Sequence, residues 1–197
     1  MIRCPLCGNQ AAGNTAAKYL CRQCNVLLDD RMIGLFLGRF QPFHNGHLEL
    51  IKRASLDVEK LVIVIGSSLK RDTKENPFTA EERKEMIEAA LAGEGITNYM
   101  IVPVNDILLD DEYVNHVRQL TPAFNVVYAG QNQLTAELFG KAGFEIRKCE
   151  RYFDLEATQI RRLMVFGKEW RHLVPKKTVE VIERIGGVNR IKKLNMF

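Results

Sequence analysis

Two histidines three positions apart, His44 and His47, close the stretch Gly38-Arg-Phe-Gln-Pro-Phe-His-Asn-Gly-His. Residues at that spacing share one side of a helix start, so both rings can reach a single ligand. Gly46 between them removes a Cβ where backbone must approach phosphate oxygens. Arg39 contributes a permanent, planar charge suited to the same anion. The alternative is a strand-turn-helix corner whose histidines only hydrogen-bond the turn. A second group, Glu156-Ala-Thr158-Gln-Ile160-Arg161-Arg162, offers a hydroxyl and a guanidinium three residues apart. With Thr158 at a helix start, these groups and the free N–H groups of the first turn face one anion. Alone, it also reads as a capped helix with surface arginines.

Four of the five cysteines stand as Cys4-x2-Cys7 and Cys21-x2-Cys24, with 13 residues between the pairs. Each pair can supply two thiolates to a tetrahedral ion, and the spacing predicts a structural zinc ribbon over residues 1–30. Two disulfides would require a secreted chain, and Met1 to Cys7 has no hydrophobic leader core. Cys149 stands alone and reads as an idle or buried thiol.

The elements that must hold these groups follow from apolar runs and turn residues. Ile33 to Leu37 is a strand ending at Gly38, and a helix from Gly46 to about Ser55 aims its positive dipole end at the turn. Leu61 to Ile65, an unbroken Leu-Val-Ile-Val-Ile run, predicts a strand buried on both faces. It ends in Gly66-Ser67-Ser68. A polar loop, Lys70 to Glu75, precedes Thr79-Ala-Glu-Glu82, a capping box for a helix to about Leu91.

Tyr99 to Val104 is the third strand and delivers Asn105 and Asp106. A helix over 111–120, a strand at Asn125 to Ala129 closed by Gly130, a helix from Gln133 to Ala142 and a strand at Glu145 to Lys148 complete the alternation. This pattern predicts an α/β fold with a doubly wound parallel sheet over residues 31–197, after the ribbon. Ligands in such sheets lie beyond the carboxyl ends of the strands, where Gly38, Gly66, Asp106 and Gly130 fall. Two further helices, from about Pro175 to Ile185 and Val188 to Leu194, end a basic segment in which Trp170 is a packing anchor.

With 197 residues, 46% of them apolar, the chain holds one full domain plus a small appendage. No apolar run approaches the roughly 18 residues of a membrane helix, so a cytoplasmic protein is expected. The net charge of +4, from 28 basic and 24 acidic residues, suits small anions as readily as nucleic acid. Three cations in residues 1–30 against two carboxylates, four thiolates and a zinc ion leave the ribbon at −1. A polyanion binder should be basic, so nucleic acid is not the expected partner, and the ribbon reads as structural or protein-contacting.

The histidine stretch resembles the His-x-Gly-His signature of the nucleotidyltransferase superfamily. Its longer form, Gly-Arg-Phe-Gln-Pro-Phe-His-x-Gly-His, is similar to archaeal-type nicotinamide-nucleotide adenylyltransferases. Asn76 to Arg83 resembles that family's Asn-Pro-Phe-Thr-x-x-Glu-Arg segment, and Thr158 to Arg161 its Ser-x-Thr-x-Ile-Arg signature. Trp170-Arg-x-Leu-Val-Pro175 resembles its carboxyl end, so the likeness spans about Ile33 to Leu194. It implies a Rossmann-like nucleotidyltransferase fold that forms homo-oligomers. The implied reaction transfers AMP from ATP to nicotinamide mononucleotide, yielding NAD and pyrophosphate with Mg2+ on the phosphates.

The resemblance implies catalytic roles for His44, His47, Arg39 and Arg161, and ATP contacts for Gly38, Phe40, Phe43, Gly46, Gly130, Thr158 and Ile160. It implies acceptor contacts for Phe40, Asp106, Asp110 and Tyr113. Departures are Glu156 in place of serine, Tyr113 where tryptophan is common, Asp110 where an amide is expected, and no arginine at Lys74-Glu75. They leave open another phosphorylated acceptor, such as nicotinic acid mononucleotide, flavin mononucleotide or phosphopantetheine. A non-catalytic nucleotide sensor that recruits partners through the ribbon is the reading from a different class.

Overall fold

The computed structural model describes residues 12–13, 18–21, 26–29, 32–108, 110–130, 133–148 and 155–196. The chain divides into two units, Met1–Met32 and Ile33–Phe197. The first contains three short antiparallel strands in the order β1 (Ala12–Gly13), β2 (Lys18–Cys21) and β3 (Val26–Asp29). Cys21 ends β2 opposite Val26. Cys4, Cys7, Cys24 and Cys149 lie outside the described residues.

In the second unit β4 (Ile33–Gly38), α1 (Asn45–Asp57), β5 (Lys60–Ile65), α2 (Ala80–Gly93) and β6 (Tyr99–Pro103) come first. They are followed by α3 (Asp110–Leu120), β7 (Val126–Ala129), α4 (Gln133–Lys141), β8 (Glu145–Lys148), α5 (Ala157–Val165), α6 (Lys176–Arg184) and α7 (Gly187–Leu194). The five strands pair in parallel in the order β6-β5-β4-β7-β8. The strand order reverses between β4 and β7, so the crevice of a doubly wound sheet opens beside Gly38 and Ala129.

The sheet is parallel and covered on both faces, and its interior strand β5 has no polar face to show to water. Leu61, Val62, Ile63, Val64 and Ile65 are all 0% exposed, as a strand covered by helices on both sides requires. On one side Val62 and Val64 pack with Leu35, Val114, Val117, Val127 and Phe139. The C-terminal helices close over α2: Thr178 donates to the Met86 carbonyl, and Arg190 forms a two-bonded pair with Glu82. Trp170 is buried, as a packing anchor should be. Among the described residues no helix is long and apolar enough to cross a membrane.

One local expectation needs correction. Helix α5 starts at Ala157 with Glu156 at the cap position, so Thr158 lies inside the first turn. The Glu156 N–H is accepted by Gln159 Oε1 at 3.4 Å, the N3 side chain reaching back to the cap residue. The polar loop 70–75 is anchored at both ends. Lys70 pairs with Asp106 at 2.8 Å, and the Asn76 N–H is accepted by Thr73 Oγ1 at 3.0 Å.

Candidate active site

The first turn of α1 is capped by histidine at both of its ends. The His47 N–H is accepted by His44 Nδ1 at 3.4 Å, and the His44 N–H by His47 Nδ1 at 3.3 Å. The two rings stack with centroids 3.6 Å apart. Phe40 meets His47 edge-on at 4.9 Å and Phe43 stacks behind it at 5.6 Å, which fixes the ring plane. A nitrogen that accepts an N–H carries no proton, so the proton of each neutral ring sits on Nε2. The corner therefore shows the turn-holding reading of the sequence: Nδ1 holds the turn, and Nε2 takes no part in the cap.

Burial keeps these rings neutral. His44, 6% exposed, has its pKa lowered to about 4, and His47 is held well below its ordinary value, first by burial and then by His44. Since the unfolded chain takes up the His44 proton near pH 6.5, stability is intact above that value and falls as the pH drops toward 4. Between pH 7 and pH 5 the His44 contribution falls by about 2 kcal/mol. His44→Asn keeps an oxygen at the cap but cannot titrate. Its denaturant-measured stability should lose about 2 kcal/mol less than the native protein over that range; equal losses would contradict the buried, neutral ring.

Gly46 is required by the cap itself. A Cβ there would lie 3.1 Å from His44 Nδ1 and Cε1, pressing the ring off the turn. Gly38 is tighter, with a Cβ position 2.8 Å from the Phe40 ring.

A cavity of about 740 Å³ opens at the carboxyl ends of β4, β5 and β7. It gathers Gly38, Arg39, Phe40, His44, Gly46 and His47 from the β4–α1 corner, Gly130 after β7, and Thr158 and Arg161 from α5. Asp106 and Tyr113 line it as well. Phe43 and Ile160 do not: both are 0% exposed, Phe43 behind His47 and Ile160 on the inward side of α5. The side chain of Asp110 lies outside the described residues. Glu156 lines the cavity as an exposed residue, so its carboxylate keeps its water.

The two residue groups that the sequence singles out are bonded to each other. Arg161 Nη1 donates to the Gln41 carbonyl at 2.7 Å, across 120 residues of chain, and Nη2 to the nearby Thr158 Oγ1 at 3.3 Å. Burial, and then the Arg39 charge, lower the pKa of Arg161. Among the described residues no carboxylate is hydrogen-bonded to Arg161, so the positive field of the corner stays available to an anion. On the far side, Ser67 Oγ donates to Asp106 Oδ1 at 2.9 Å. Burial alone would raise the Asp106 pKa, but the bonds from Lys70 and Ser67 outweigh it and hold it low. Burial, then Asp106, push the Tyr113 hydroxyl up to about 12.

Sequence reasoning missed Gln41 and Arg83. The Gln41 side chain makes both bonds to the Phe78 main chain, at 2.9 and 3.0 Å, and so ties the corner to Asn76–Arg83. Arg83 is wholly buried, and burial lowers its pKa to about 10. Its signal was present. Ala80, Arg83, Ile87 and Ala90 share the apolar face of α2, where a charge must serve a purpose.

The parallel sheet with a cavity at its switch point is that of the cytidylyltransferase-like family, whose match covers residues 35–194; the chain belongs to it. Its relatives narrow the class. The nicotinamide-nucleotide adenylyltransferase of Methanococcus maripaludis strain C5 is 46% identical over 166 residues, covering 83% of this chain and 96% of that protein. That of Thermoplasma acidophilum is 42% identical over 161 residues, covering 81% and 89%. Among solved structures, a bifunctional NMN adenylyltransferase/ADP ribose pyrophosphatase from Francisella tularensis, complexed with AMP and a manganese ion, aligns with a TM-score of 0.70 at 27% identity. The alignment covers 83% of this chain and 52% of that one, so the chain spans about half the length of the bifunctional protein.

Proposed function

We infer that this chain transfers the AMP moiety of ATP to nicotinamide mononucleotide, producing NAD and pyrophosphate. The observation that carries the reading is the bond between the two anion-binding groups, from Arg161 to the Gln41 carbonyl beside the histidine corner. It sets donors on both sides of a triphosphate. The curated relatives, similar over nearly their full length, support the nicotinamide acceptor.

In the reaction an oxygen of the acceptor's phosphate attacks the α-phosphorus of ATP in line. The bond from that phosphorus to the bridging oxygen breaks, and pyrophosphate leaves with the electron pair. No protein nucleophile is needed, and catalysis is alignment plus charge stabilisation. His44 and His47 donate from Nε2 to phosphate oxygens, and the α1 N-terminus adds its free N–H groups. Arg39 and Arg161 neutralise charge on the phosphates, with Thr158 donating beside them. Gly38, Gly46 and Gly130 let the nucleotide lie against backbone.

Asp106 and Tyr113 face the acceptor. Among the described residues no group of three or more His, Cys, Asp or Glu stands ready for a metal. A magnesium ion would then take its ligands chiefly from nucleotide phosphates and water, and supplies charge neutralisation there.

The test is pyrophosphate release by the purified protein with ATP and each candidate mononucleotide. Turnover with nicotinamide mononucleotide is expected; turnover only with another acceptor, or none, would sink the reading. A melting-temperature panel with a non-hydrolysable ATP analogue separates acceptors by binding alone.

We also propose that Cys4, Cys7, Cys21 and Cys24 hold one structural zinc. The spacing of the pairs and the antiparallel pairing of β2 with β3, which sets Cys21 at a hairpin end, support this. Elemental analysis of protein purified without chelator should find one zinc per chain. Substoichiometric zinc with Cys4 and Cys7 oxidised would overturn the ribbon.

A further inference from the structure

Arg83 lies outside the cavity wall, yet it reaches both turns that frame the cavity. Nη1 donates to the carbonyls of Arg39 at 3.0 Å and Gly66 at 2.8 Å, Nη2 to that of Ser67 at 3.1 Å, and Nε to that of Thr79 at 3.1 Å. The residues that follow the Arg39 and Gly66 carbonyls are Phe40, with φ 53°, and Ser67, with φ 49°. Non-glycine residues enter the left-handed region at a cost, and stay there only where the surroundings fix them. A single guanidinium fork thus pins a left-handed turn at the end of β4 and another at the end of β5.

Those turns carry different halves of the site. The β4 turn carries Arg39 and leads to the histidines. The β5 turn carries Ser67, whose hydroxyl bonds Asp106, which in turn pairs with Lys70. A buried helix face is ordinarily filled by apolar side chains, which need no partners. Here all the described bonds of the buried fork go to main-chain carbonyls.

The geometry points to Arg83 as a positioning residue for adenylyl transfer: by locking the two strand-end turns against each other, it aligns the acceptor phosphate with the α-phosphorus of ATP. This rests on the reaction inferred above. Misalignment penalises the chemical step more than ground-state binding, so the effect belongs in kcat.

The test compares the native protein with Arg83→Lys and Arg83→Gln by pyrophosphate release. Competent sites are counted by calorimetric titration with a non-hydrolysable ATP analogue. Lysine keeps the charge but offers one nitrogen where three diverge, and glutamine keeps two donors without charge. In Arg83→Lys, kcat per competent site should fall more than about ten-fold, while KM for both substrates stays within about three-fold.

A smaller fall in kcat, or a loss carried by KM, overturns the inference. If the lysine variant does not fold, the glutamine variant decides by the same criteria, and failure of both to fold assigns Arg83 to fold stability and also overturns it. A native protein that binds the analogue but releases no pyrophosphate sinks the reaction and this inference with it, whereas the other outcomes sink the inference alone.

Discussion

His47→Ala should lower kcat on the order of 10³-fold, through loss of a preorganised donor at the phosphates, and leave a folded protein. Removing the ring deletes the Nε2–H and also the Nδ1 that accepts the His44 N–H. The lost half of the cap costs about 1 kcal/mol, a few degrees of Tm at most. The two roles can be separated because asparagine reproduces the Nδ1 position and glutamine the Nε2 position. His47→Asn should melt near the native temperature and remain as inactive as the alanine variant. His47→Gln should melt lower and recover part of the turnover. An asparagine variant working within about ten-fold of the native rate would show that the ring serves only the turn.

The second large effect is expected at Arg161. Arg161→Met should reduce kcat/KM by about 10²- to 10³-fold, because the group joining the two anion-binding halves is gone. Stability should hardly move. The lost bond to Gln41 costs about 1 kcal/mol, and it is offset by removing a half-buried charge that Arg39 repels. Arg161→Lys should rescue little activity, since a point charge cannot span Gln41 and Thr158 as the planar fork does. Steady-state kinetics beside thermal melts would read both quantities. A parallel collapse of Tm and activity in the methionine variant would assign Arg161 to the fold.

The parallel sheet was legible because burial on both faces leaves a run such as Leu61 to Ile65 with no polar positions, and its shortness and β-branched residues favour a strand. The α2 cap was legible too, since Thr79 and Glu82 satisfy each other's neighbouring N–H groups through side chains close in sequence. The site was legible in residue types and less so in atoms. Nothing in the order of residues reveals that the Nδ1 atoms of His44 and His47 are spent on the backbone. Side-chain direction within a turn was equally hidden. Phe40 takes a left-handed backbone that propensity assigns to glycine, and Phe43, three residues on, is buried behind His47, off the cavity wall. Arg83 was overlooked because its partners are carbonyls, which every residue possesses and no motif displays.

The bond from Arg161 to Gln41 closes a loop of 120 residues, and those from Arg190 to Pro77 and Glu82 close loops of 113 and 108. The contacts that finish the phosphate corner and the start of α2 are therefore among the most distant in the chain, and closing them is entropically the slowest kind of step. On a ribosome, β4, β5 and α2 are made long before their clamps. The corner and the start of α2 can therefore be complete only once α5 and α7 have been made.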